Sequence, residues 1–191
     1  MKSRASIGIE CRRIFCVSLS IVLLVSLSID SARASEPVSK YTSTATKDAL
    51  SKKNFGGDPE LDGSEERICP GFGGYQLVFK GDSDRSWIDV KFGKQISDLY
   101  AVSMQNAPGS FATKSNDTVE WRGWEVRGKF APYAIIYRIS GYNEDTQTTK
   151  TRLLVFRLSY GKAEFVGHAE GAGEDAKAKK IADQSFSDAG E

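Results

Sequence analysis

Two segments late in the chain constrain its fold more than any other feature. In YAIIYRIS, Tyr133, Ile135, Tyr137 and Ile139 share one face of a strand, and in RLLVFRLSY so do Leu154, Phe156, Leu158 and Tyr160. A period of two marks a β-strand with one face in a core. The polar stretch GYNEDTQTTK, Gly141 to Lys150, joins them as a hairpin loop. Directly paired residues of a hairpin point to the same side. Odd positions of the first strand must therefore meet even positions of the second, because a one-residue slip would turn one set of aromatics into water. The opposite faces carry Ala134, Ile136 and Arg138, and Leu153, Val155 and Arg157. They are mixed rather than polar, so these strands read as central, with something covering the second face.

The C-terminus supplies the cover. AEFVGHAEG reads as a short last strand, and GEDAKAKKIADQSFSDAGE as a helix whose Ala178, Ile181, Ala182 and Phe186 recur at helical spacing. Glu174 and Asp175 stand in its first turn, where negative charge suits the dipole. Full burial of Ile181 and Phe186 would contribute roughly 2–3 kcal/mol each. Upstream, Tyr75, Leu77 and Phe79 form a strand face, GDSDRS a turn, and Ile88, Val90 and Phe92 the returning face. Ile96, Leu99, Tyr100 and Ser103 fit a short helix that Pro108-Gly109 ends. TVEWRGWEV is a strand in which Gly123 allows a bulge. The expected fold is α+β: an antiparallel sheet of about six strands with a C-terminal helix packed on one face.

The first 34 residues read as a signal peptide. Lys2, Arg4, Arg12 and Arg13 precede an apolar run from Ile14 to Ile29, and Ala32-Arg33-Ala34 has small residues where signal peptidase needs them. That three-part pattern predicts cleavage between Ala34 and Ser35 and a periplasmic or secreted protein. As a membrane anchor the run is short, 16 residues against the ~20 that span a bilayer. RRIF resembles the core of a twin-arginine signal, but the hydrophobicity of the run favours the general secretory route. Cys11 and Cys16 lie too early to be an acylated lipoprotein cysteine. Residues 35–66, rich in Ser, Thr, Lys, Gly and Pro, keep no period and read as a polar arm or linker. Residues 67–188 then form a single β-rich domain.

Residues 1–34 hold five of the 26 basic and two of the 25 acidic residues, which leaves 21 and 23 beyond them, a net of −2. A chain this close to neutral carries no overall electrostatic footprint for nucleic acid or an anionic membrane. No second apolar run is long enough to span a membrane after cleavage.

Catalytic constellations are scarce. His168 is the one histidine, and there is no Gly-x-Ser-x-Gly elbow for a triad. One His and one cysteine beyond residue 34 leave a zinc site short of ligands. Asp82 and Asp84 invite a calcium reading, but the Gly and late Glu of such a loop do not follow at the required offsets; no metal or cofactor is expected. PGFGG precedes a strand instead of following one, so it reads as a turn and not as a nucleotide fingerprint. Trp121, Arg122 and Trp124 are the candidate binding set, since aromatics beside arginine mark interface hot spots and stack on sugars. The two tryptophans lie on opposite faces of a regular strand, so both are core only if both faces are covered. Cys69 has no intramolecular partner once residues 1–34 are removed. It is a buried inert thiol, an intermolecular disulfide or, least favoured, a nucleophile.

ICPGFGGYQLVF with the following DR, the later EWR and the ending AKKIADQSF resemble a family of small exported bacterial proteins of unassigned function. The resemblance covers most of 41–186. It implies a further cysteine in the arm, near TKDA, where this chain has Ala49, and another near Phe165. Cys69 would then be the remnant of a structural bridge, and the arm would dock on the domain. It implies no activity.

The combined expectation is a non-catalytic periplasmic or secreted binding module for an envelope or extracellular protein or a glycan. A hydrolase using carboxylates or His168, and an envelope subunit disulfide-linked through Cys69, are the alternatives.

Overall fold

The computed structural model describes residues 36–54, 64–82, 84–109 and 111–187. The expected signal peptide, with its Ala34/Ser35 cleavage site, lies outside the described residues.

Among the described residues, ten strands form two five-stranded antiparallel sheets. The first has the order β1 (Val38–Ser43), β7 (Phe111–Val126), β8 (Lys129–Asn143), β9 (Thr148–Ser159), β10 (Lys162–Ala169). The second runs β2 (Ser51–Asn54), β3 (Glu65–Cys69), β4 (Tyr75–Gly81), β5 (Ser86–Phe92), β6 (Gln95–Ser97). The single sheet of about six strands is thus corrected to two sheets. Alternation assigns a strand a buried face but does not say which sheet it joins, and both sheets carry the same kind of inward residue. One core lies between them: Cys69, Leu77, Phe79, Ile88 and Val90 from the second sheet meet Val119, Trp121, Ile135, Tyr137 and Phe156 from the first.

The β8–β9 register has the expected parity, with Ile135 opposite Phe156 and Tyr137 opposite Leu154. It stacks the Tyr137 and Phe156 rings 5.6 Å apart and nearly parallel. The expected irregularity at Gly123 is present as a register shift between Arg122 and Gly123. The segment after β6 forms helix α1 (Tyr100–Gln105), whose buried Ser103 hydroxyl lies 2.7 Å from Tyr137 Oη.

The polar arm is corrected for its described part. Val38–Ser43 pairs along β7 and Ser51–Asn54 along β3, so both sheets take an edge strand from it. An edge strand needs few apolar residues, because backbone hydrogen bonds to one neighbour hold it, and lysines such as Lys52 and Lys53 suit its open side.

Helix α2 (Glu174–Ser187) covers the outer face of the first sheet, making a third layer. Its Ala178 and Ala182 are fully buried against Tyr133, Ala134, Ile136, Leu153 and Val155. Ile181 is half-buried and Phe186 is 45% exposed, against the expectation that both are fully buried. The alanines bring the helix so close to the sheet that larger residues flank the contact and do not enter it. Polar groups fix the helix: Asp183 accepts two hydrogen bonds from Arg122, at 3.1 and 2.8 Å, and one from the Tyr133 hydroxyl, while Arg138 donates to Glu174.

Candidate functional site

The expected binding set is part of the fold. Trp121 is fully buried, its Nε1 donates to Thr42 Oγ1 at 2.8 Å, and its ring stands edge-on to Phe72. Arg122 is 8% exposed and held by Asp183. Trp124 is half-buried against Tyr133 and Phe186, with ring centroids 5.8 Å away in each case. The exposed binding surface expected at these residues is therefore corrected. The second sheet covers one face of β7 and α2 the other, so both tryptophans belong to packed layers.

The PGFGG loop closes the core over Trp121. A Cβ on Gly71 would stand 2.3 Å from the Tyr75 carbonyl oxygen and 2.9 Å from the Trp121 ring, so no larger residue fits there. Just before the loop, Cys69 has no exposed surface. Its Sγ lies 3.8 Å from the Thr44 carbonyl oxygen, which also accepts 3.1 Å from Arg67 Nε. Burial pushes the thiol up, with only partial opposition from the Arg67 guanidinium. A buried thiol with no exposed surface fits the first of the readings of Cys69, a buried free cysteine, better than the intermolecular disulfide or the nucleophile.

His168 is exposed on β10 opposite Leu154. Near it a cleft of about 560 Å³ is lined by Pro108, Lys150, Thr151, Arg152, Glu170, Gly171 and Glu174. Both glutamates are paired with arginines. Arg152 donates to Glu170 from Nε and Nη2, at 2.9 and 2.7 Å, and holds its carboxyl below the usual range. Glu174 is paired with Arg138. Among the described residues, the carboxyl that burial pushes up is Asp89, which has no exposed surface; it accepts the Leu99 amide at 2.9 Å, and Lys80 stands 2.9 Å away. Asp82 accepts the amides of Asp84 and Arg85, so it closes its own turn. Among the described residues no group of three His, Cys, Asp or Glu is placed to hold a metal. No helix among them is long and apolar enough to cross a membrane.

What remains is one end of the sandwich. Three hairpins turn there on the same tripeptide pattern: Phe92-Gly93-Lys94 between β5 and β6, Arg127-Gly128-Lys129 between β7 and β8, and Tyr160-Gly161-Lys162 between β9 and β10. Their adjacency is set by contacts. The Tyr75 hydroxyl accepts the Gly161 amide at 3.1 Å, and Gly161 and Gly74 both lie against the Phe92 ring. Gly73 lies against Pro132 on β8. Since Ala134 pairs with Arg157, the β7–β8 tip extends some three residues, about 10 Å, past the β9–β10 tip.

This end is apolar and basic at once. Tyr160 is 99% exposed, Val126 53% and Phe92 40%. Lys94, Arg127, Lys129 and Lys162 are exposed, and none of the four is in an ion pair among the described residues. Lys91 adds a further cation. Of the acids nearby among the described residues, Glu125 is paired with Lys40 at 2.7 Å and Glu164 with Arg157 at 2.6 Å, and Glu36 is exposed. Arg127 and Tyr160 have φ of 52° and 50°, each followed by a glycine with positive φ, the pattern of a type I′ turn. Asn or Gly is the usual first residue of such a turn, because a larger side chain in the left-handed region costs about 1–2 kcal/mol. Among the described residues, what this end offers is cations and rings. Sequence reading missed it, although the threefold x-Gly-Lys repeat was a readable signal. Comparison with family models, curated proteins and solved structures finds no match to this chain.

Proposed function

We propose that this protein is an exported, non-catalytic binding module, periplasmic or secreted, that contacts an envelope component through its hairpin-tip end. Tyr160 carries the reading. Its ring is 99% exposed on a residue whose φ is +50°, so it stabilises neither the core nor its own turn, and contact with a partner is the role left to it. The cleft near His168 argues against the hydrolase alternative, since Glu170 is bound by Arg152 and Glu174 by Arg138. The test is retention of the processed protein on an isolated envelope fraction. The wild type is expected to be retained and Tyr160→Asn to be released, with no loss of thermal stability. Equal retention of both proteins would sink the reading.

A further inference from the structure

We propose that the hairpin-tip end docks on a lipid bilayer that carries anionic headgroups, with the tip rings at the level of the headgroups and the lysines on the phosphates. This names the partner for the binding reading above and rests on it.

A whole-chain charge near zero hides a local excess. Lys94, Arg127, Lys129 and Lys162 lie on three adjacent tips, exposed and without ion pairs among the described residues, while Glu125 and Glu164 are neutralised by Lys40 and Arg157. Each cation near an anionic leaflet strengthens association roughly five-fold. Screening falls within a Debye length of about 8 Å at physiological salt, so the relevant charge is that of the face in contact and not that of the molecule.

The apolar groups stand at the same tips, ahead of or beside the cations. Tyr160, Val126 and Phe92 are 99%, 53% and 40% exposed. Rings with a polar edge, such as tyrosine, favour the bilayer interface, and binding there scales with apolar area buried plus attraction to anionic lipid. The tips are salient: a Cβ on Gly93 or Gly128 would meet nothing within 4 Å. A strand of nucleic acid requires the opposite shape, a groove with stacking platforms along it, and Tyr160 makes no ring contact among the described residues. The chain also enters the domain at this end, because Val38, the first residue of β1, pairs with Gly123.

The experiment is vesicle flotation of the protein processed after Ala34, its start fixed by intact mass. One set of vesicles is phosphatidylcholine alone; the other contains about one third phosphatidylglycerol. The protein is expected to float with the anionic vesicles only, and to be released at about 0.5 M salt, where the screening length is roughly 4 Å. Replacing Lys94, Arg127, Lys129 and Lys162 together by Gln should weaken binding about 100-fold or more. Tyr160→Asn should weaken it roughly five- to ten-fold while leaving the fold intact. No flotation with anionic vesicles overturns the proposal, and so does flotation that ignores both variants. Equal binding to soluble heparin, unaffected by Tyr160→Asn, would identify a polyanion reader and overturn it as well. If vesicles fail but a lipid-stripped envelope fraction still retains the wild type and releases Tyr160→Asn, the lipid is wrong and the binding module stands. If neither retains it, both readings fall.

Discussion

Tyr160 is the residue whose placement the fold does not explain, and its replacement has an unusual expected sign. Asn tolerates the left-handed region far better than tyrosine, and the ring it removes is 99% exposed and touches no core. Tyr160→Asn should therefore stabilise the protein by about 1 kcal/mol, read as a raised melting temperature. Asp89 gives a second residue-scale prediction, through pH. Burial raises its folded pKa above the unfolded value, so in that window the native state binds more protons than the unfolded one. Stability then falls as pH rises from about 4 through the folded pKa. Asp89→Asn keeps an oxygen for the Leu99 amide and removes this dependence. Its stability relative to wild type should improve from pH 4 to pH 7 in urea titrations, and a difference that is flat or of opposite slope would contradict the assignment. Residues like these were poorly legible from sequence. A type I′ turn announces itself as Asn-Gly or Asp-Gly, and here the turn residues are Arg-Gly and Tyr-Gly. In the same way, Trp121 and Trp124 beside Arg122 have the composition of a binding surface, and only the three-layer packing shows that both of their faces are filled.

At the scale of elements, legibility follows how much of a strand is buried. β8 and β9 are central, and their Ile135, Tyr137, Leu154 and Phe156 are all fully or almost fully buried. The alternation was therefore strong enough to give even the register parity. β1 is an edge strand held by backbone bonds to β7, with Tyr41 56% exposed, and nothing in its composition separates it from a linker. Helix α2 was legible as a helix, but its depth was not, because two alanines rather than Ile181 and Phe186 make the closest contact. The pin between this helix and the sheet is testable. Arg122 is 8% exposed and donates twice to Asp183, which also accepts from Tyr133. Arg122→Met should cost about 2 kcal/mol, less than a fully buried pair, because Asp183 keeps some contact with water and one remaining donor. Guanidinium denaturation followed by far-ultraviolet circular dichroism would measure it. A change under about 0.5 kcal/mol would mean that Arg122 does not pin the helix.

At the scale of the whole described domain, a buried, interlinked body contrasts with one end that carries exposed cations and an exposed ring. Arg67, Cys69, Asp89, Arg122 and Tyr137 are all buried and linked to neighbours. The tip cations and the Tyr160 ring have no such links among the described residues, while Phe92 packs inward on Tyr75. Net charge, summed over the chain, could not reveal this, because the acids and bases are separated in space and not in sequence. Cys69 reports on the body as a unit. Its thiol should resist a thiol-specific reagent in the native state and react at the rate of unfolding, and fast native labelling would contradict the packing around Thr44 and Arg67.

The most direct test sets two variants against each other in the same pair of assays, melting temperature and retention on the envelope fraction below the melting point. The account predicts a double dissociation: Tyr160→Asn melts higher and loses retention, whereas Arg122→Met melts lower and keeps it. The reverse pattern, with Arg122→Met losing retention while folded and Tyr160→Asn keeping it, would return the binding surface to β7 and contradict the assignment of function to the hairpin tips.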